Sequence, residues 1–175
     1  MNRVRLPTIL TVLLAFNLLA TPREEIVPTE DEEQILSRIN QFRSSNKRAP
    51  LRFNKKLIRA ARYHANNMAD CKELSHELKI KVGRHLTSRM YVFHYLQDEN
   101  KTAYGECVAS QRGSHDHSKI VEGWKKSEGH RTILLGHFKD AGIGIAQDSS
   151  GEIYYCFNAG RIENENLLPK KQRSR

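Results

Sequence analysis

Three residues whose side chains could share one chemical task stand far apart in this 175-residue chain. They are His76 in Leu-Ser-His, Glu106 in Gly-Glu-Cys-Val-Ala, and His130 in Ser-Glu-Gly-His-Arg. Glu106 heads a short β-prone segment between a glycine and small or apolar residues. A carboxylate there is costly to bury unless a cation, a proton or hydrogen-bond donors accompany it. Two neutral imidazoles and a carboxylate make a three-ligand set for zinc with one coordination position open. The spacings of 30 and 24 residues match no local zinc motif of the His-Glu-x-x-His kind, so only the fold can assemble the three.

Three further groups invite a chemical reading and receive a plainer one. His64 falls on the apolar stripe of a helix, where a lone histidine reads as a hydrogen-bonded core residue. His115-Asp116-His117 looks like a metal pair but sits in a polar stretch at a helix start, and reads as a solvated loop. Cys107 next to the histidines suggests a Cys–His nucleophile. One position beyond Glu106 on a strand, it should point to the opposite face.

The elements that must position these residues are legible to different degrees. Thr29 and Glu32 form a capping box, and Ile35, Leu36, Ile39 and Phe42 recur at helical spacing, ending near Ser44–Asn46. Pro50-Leu51 reads as an extended connection. Asn54 caps a second helix with a stripe of Leu57, Ala61, His64, Ala65 and Met68, running out near Cys71. Between residues 77 and 103 the pattern is poor, and a helix over Val82–Tyr95 is the expectation. A strand follows over Tyr104–Ser110, then a polar loop to His117. Ile120, Val121 and Trp124 mark a helix ending by Ser127, and a helical turn from Gly129 carries His130 and closes at Gly136. Ala141–Gln147 and Ile153–Asn158 form a hairpin around Asp148-Ser-Ser-Gly151. This order implies an α+β sandwich around a small antiparallel sheet.

Length suits one globular domain. The first twenty residues start basic (Arg3, Arg5) and continue as an apolar run to Ala20, too short for a comfortable membrane span. They read as a secretory signal peptide over 1–20, with an uncleaved signal anchor as the alternative because Leu18 is large for a position three before the cut. A linker over 21–28, a domain over 29–162 and a basic flexible tail over 163–175 complete the division. Loss of the signal takes Arg3 and Arg5 and lowers the formal charge from +9 to +7. Lys170, Lys171, Arg173 and Arg175 carry four more positives, leaving about +3 on the body, which argues against nucleic acid. Past a signal peptide, Cys71, Cys107 and Cys156 predict one disulfide, the pair left open, and one spare thiol. Asn100-Lys101-Thr102 is a glycosylation triplet.

Several short pieces also fall into one known order. Ile39-Asn-Gln-Phe-Arg43, Pro50-Leu51 and Leu57…Ala61…His64-Ala65…Met68 resemble the opening of the CAP superfamily, which includes cysteine-rich secretory proteins, venom antigens, plant pathogenesis-related proteins and microbial SCP-like members. Ser75-His76, Gly105-Glu-Cys-Val-Ala109, Trp124-Lys-Lys-Ser-Glu-Gly-His-Arg131, Gly142-Ile-Gly-Ile145 and Tyr154-Tyr-Cys-Phe157 resemble its later landmarks, so the resemblance spans about residues 35–160. It implies an α-β-α sandwich with a cleft formed by His76, Glu106 and His130 that can hold a divalent metal such as zinc. Cys107 stands where the family has Asn, and Glu128 where it has Pro. Larger members carry a second acid near this point, so Glu128 is the candidate fourth acid, with Glu122 its rival.

Two functional classes follow. The resemblance favours a secreted binding module, without a transmembrane segment in the mature chain, that recognises a lipid, sterol, glycan or extracellular protein. The alternative is a metal-dependent hydrolase in which zinc polarises water and Glu128 serves as general base. A cluster that is purely a structural hydrogen-bonded network is the third account.

Overall fold

The computed structural model describes residues 25–98 and 101–163. The expected signal peptide, the glycosylation residue Asn100 and the tail from 164 onward lie outside the described residues.

The first helix, α1 (Glu30–Ser45), begins at the capping box. The Thr29 amide donates to Glu32 Oε2 at 2.9 Å, and the Glu32 amide donates to Thr29 Oγ1 at 3.3 Å. Both otherwise unpaired donors are thereby satisfied. Its face of Ile35, Leu36 and Ile39 is buried. The extended connection expected at Pro50-Leu51 leads into a two-residue strand, β1 (Arg52–Phe53), which pairs in parallel with a strand nearly ninety residues later. Asn40 fixes this entry by exchanging two hydrogen bonds with the Leu51 backbone, at 2.8 and 3.0 Å.

Asn54 then caps α2 (Lys55–Cys71), its side-chain oxygen accepting from the Lys56 amide at 3.0 Å. The helix closes at Lys72, which takes a left-handed φ of 54°. The expected helix over Val82–Tyr95 is shorter, α3 (Leu86–Val92). The remaining elements are β2 (Thr102–Arg112), α4 (His117–Lys126), α5 (Glu128–Leu134), β3 (Asp140–Gln147) and β4 (Glu152–Ile162).

The sheet order is β1-β3-β4-β2, antiparallel except for the β1–β3 pair. Its two faces are covered by different helices, giving three layers. Toward α1 and α4 point Cys107, Ile143, Tyr155 and Phe157, packed with Ile35, Ile39, Ile120, Val121 and Trp124. Toward α2 point Val108, Tyr154 and Cys156, packed with Ala61, Ala65, Met68 and Leu78. The alternation of β2 and β4 thus sorts their side chains between two cores. The α2 layer lies very close to β3, because a Cβ on Gly142 or Gly144 would come within 2.0 and 2.3 Å of helix backbone atoms.

The expected disulfide is absent, and Cys71, Cys107 and Cys156 are all free. Cys71 is exposed at the end of α2. Cys107 pairs across the ladder with Phe157, and Cys156 with Val108, so the two buried thiols point into opposite cores. A bridge between them would have to pass through the sheet.

Replacement of Gly144 by Ala should cost about 3 kcal/mol or more, since the added methyl meets backbone and not a yielding side chain. Gly123→Ala, at a point of α4 where a Cβ meets nothing within 4 Å, should stabilise by about 0.5–1 kcal/mol. Urea unfolding midpoints of the two variants check the contrast.

Candidate functional site

Glu106 sits on edge strand β2 opposite Asn158, facing the α2 side, with 6% of its surface exposed. Its carboxylate is enclosed by donors. Arg89, fully buried on α3, places Nη2 at 2.8 Å from Oε1 and 2.7 Å from Oε2. His76 Nδ1 lies 3.0 Å from Oε1. The Cys156 thiol donates to Oε2 at 3.4 Å, and the Asn158 amide, oriented with its nitrogen inward, reaches the same oxygen at 3.1 Å. Burial alone would raise the Glu106 pKa. The His76 hydrogen bond and the Arg89 charge outweigh it and hold the carboxyl below its usual value. Glu106 is therefore ionised and spent inward.

Arg89 is the residue that sequence reasoning missed, because it lies in the poorly patterned stretch where a buried arginine leaves no periodic mark. The guanidinium also donates to the carbonyls of Gly83, Arg84 and His76 at 3.0, 3.3 and 3.2 Å. It thus fixes the loop that presents His76 as well as neutralising Glu106.

The His76 ring is half exposed, bound through Nδ1 to Glu106 and leaving Nε2 for solvent or a ligand. His130, on α5, brings its ring to a centroid distance of 6.2 Å from His76. Burial, and then the adjacent His76, push the His130 pKa down, favouring the neutral ring. Gly105 permits this approach: a Cβ there would lie 2.6 Å from Ile133 Cδ1, one turn along α5 from His130. The far end of α5 is held by Arg43, whose buried guanidinium donates to the carbonyls of Leu134 at 2.6 Å and Gly136 at 3.0 Å. A cation at a helix C-terminus is favourably placed.

His64 is fully buried beneath this cluster, as its place on the α2 stripe implies. Its Nε2 lies 2.8 Å from the Ser75 carbonyl and 3.7 Å from Glu106 Oε1. Burial lowers its pKa to about 4, so the ring is neutral at pH 7. Cys107 faces the opposite core, its thiol pKa raised by burial and then by Glu106, which removes it as a nucleophile for this cleft. Glu128 is exposed at the start of α5, and Glu122 is exposed and paired with Lys125 at 2.6 Å.

His115 lies in the exposed loop before α4, as expected, but His117 does not belong to it. His117 begins α4 with 5% of its surface exposed and places Nε2 at 2.9 Å from Asp31 Oδ1. His115 Nδ1 lies 3.7 Å from Asp31 Oδ2. Asp31, in the first turn of α1, is the partner that the sequence could not reveal, being 86 residues from His117. Among the described residues this is the one group of three or more such side chains whose ligand atoms all lie within 4.8 Å of one another.

The sequence profile of the CAP family, the Cysteine-rich secretory protein family, matches residues 36–158. The chain belongs to this family. Its fold is similar to that of an outer surface protein from Borrelia burgdorferi, with a TM-score of 0.65 and 19% identity over 79% of this chain and 97% of that one. It is also similar to an extracellular protein containing an SCP domain from Bacillus anthracis, with a TM-score of 0.62 and 24% identity over 80% of this chain and 45% of that one. A cysteine-rich secretory protein from Staphylococcus aureus gives a TM-score of 0.56 and 17% identity, over 80% and 42%. The chain thus spans less than half the length of the latter two. No curated protein sequence matches it. At these identities the structural likeness speaks for the α-β-α CAP fold alone.

Arg89→Met, which leaves Glu106 buried without its cation, should cost about 3–5 kcal/mol at pH 7. Adding Glu106→Gln should recover most of the loss, as read from urea unfolding. The folded His64 value lies below the free value of 6.5, so its stabilisation is complete above pH 6.5 and is lost as pH falls toward 4. The loss should amount to roughly 2–4 kcal/mol in wild type. It should flatten in His64→Gln.

Proposed function

We propose that this CAP domain is an extracellular recognition module whose cleft, between His76 and His130, binds its ligand with or without a divalent metal, zinc being the favoured ion. The observation that carries this reading is the inward use of the Glu106 charge. A carboxylate already engaged by Arg89, His76, Asn158 and Cys156 is poorly disposed to take a proton from water, which leaves a hydrolase only Glu128, exposed at the start of α5, as its base. Its part is to fix the His76 ring by an Nδ1 hydrogen bond and keep Nε2 turned outward, the supporting arrangement common to metal-binding histidines. Two imidazoles at this separation suit a metal held mainly by His76 and His130, with Glu106 contributing through His76. The charge of Arg89 offsets that of Glu106, so such a site is weak compared with a three-ligand centre.

Exposed apolar side chains support recognition of a lipid, a sterol or a protein surface over a purely polar ligand. Leu74, Val82, Tyr91 and Val92 are each more than 40% exposed, and all lie in the segment that also carries His76 and Arg89. The apolar start of the chain, read as a signal peptide, supports an extracellular setting. Among the described residues no helix is long and apolar enough to cross a membrane.

The test is hydrolysis of chromogenic ester, amide and phosphodiester probes by the zinc-loaded protein, beside His76→Ala/His130→Ala. Equal rates are expected. A zinc-dependent rate that the double variant loses would instead establish the metal-dependent hydrolase. On the binding side, His76→Ala or His130→Ala should weaken zinc binding at this cleft far more than His64→Ala. Equal losses in all three would remove the assignment.

A further inference from the structure

The second polar cluster has no role in the cleft. Glu106 lies six residues from the end of β2, about 20 Å away at strand rise, and His115 lies beyond that end. We propose that Asp31, His115 and His117 form a separate zinc site that ties the start of α1 to the start of α4.

The donor set is two imidazoles and one carboxylate, which suits zinc with a fourth position left for water. Tetrahedral zinc at bond lengths of about 2.0–2.1 Å sets its ligand atoms about 3.3 Å apart. The observed separations from Asp31, 2.9 Å from Oδ1 to His117 and 3.7 Å from Oδ2 to His115, bracket that value, and one ligand atom from each of the three side chains lies within 4.8 Å of the others. Unlike Glu106, whose charge is taken up by a buried arginine, Asp31 has the two histidines as its ion-pair partners among the described residues.

The buried ring of His117 carries the second observation. Its Nδ1 is enclosed and has no hydrogen-bond partner, so no other bond fixes the tautomer. Nε2 can carry the proton when it faces Asp31 alone; when it presents a lone pair to a cation the proton moves to Nδ1, which breaks no contact but leaves that buried N–H without an acceptor. The ring is held in place by its packing, edge-on to Tyr155 at 6.2 Å and edge-on to His115 at 5.9 Å. Asp31 and His115 also border a groove of about 350 Å³ with Thr29, Asn66 and Gln147, which gives an ion a path from solvent and room for its water.

The proposal is independent of metal binding in the cleft, and the experiment separates them. Metal-stripped His76→Ala/His130→Ala protein is titrated with Zn²⁺ by calorimetry and with Co²⁺ by visible absorption. One equivalent is expected to bind, and the melting temperature should rise by roughly 5 °C or more at a hundredfold excess over Kd. In the same background His115→Ala, at a half-exposed position, should weaken binding at least about tenfold without altering the metal-free melting temperature. Asp31→Ala should weaken it similarly. Failure of the cleft-blocked protein to bind either ion overturns the proposal, as does binding that survives both substitutions.

Discussion

The ion pair of Glu106 and Arg89 is the constraint on which the cleft depends. Two opposite charges are withdrawn from water in the middle of the domain, and neither is tolerable alone. The pair is completed by hydrogen bonds from His76, Asn158 and Cys156 and by backbone carbonyls around the guanidinium. The consequence is spatial as well as electrostatic. A seven-residue helix such as α3 has no independent stability. Docked through Arg89, it organises the segment between α2 and β2 and fixes the backbone that presents His76.

A similar device operates on the other side of the cleft. Arg43 extends from α1 to the C-terminal carbonyls of α5 and so fixes the helix that carries His130. Glu32, besides closing the capping box of α1, receives two hydrogen bonds of 2.7 Å from Arg62 on α2, joining the outer layers of the sandwich. Apolar packing holds the layers on the sheet, while a few charged side chains decide how loops and short helices sit at its edges. The two histidines of the cleft approach one another because two separate arginines hold their supports.

This division of labour limits what the cleft can do. An enclosed, ionised Glu106 is a structural charge and an orienting partner, and the reactive potential left at the surface belongs to the imidazoles. The Asp31 cluster has the reverse character, with a half-exposed carboxylate facing two imidazoles and no arginine among its ion-pair partners in the described residues. Charge neutralisation, more than the mere presence of histidines, separates the two groups.

Sequence alone determined the elements that rest on neighbouring residues. The capping box at Thr29, the Asn54 cap, the apolar stripes of α1, α2 and α4, and the closing hairpin involve contacts within a few positions, and the landmarks around His76, Glu106 and His130 placed the chain among CAP proteins. The strand alternation that turns Cys107 away from Glu106 was legible for the same reason. Tertiary structure decided what depends on distant partners. Arg89 meets Glu106 across 17 residues and Asp31 meets His117 across 86, with no periodic signal announcing either. Of the pairings left open, Cys107 with Cys156 fails because they occupy opposite faces of paired strands, and Cys71, exposed at the end of α2, is free as well, a matter of placement that composition cannot convey. Local propensity is written in adjacent side chains, whereas the partner of a buried charge is chosen only when the layers close around it.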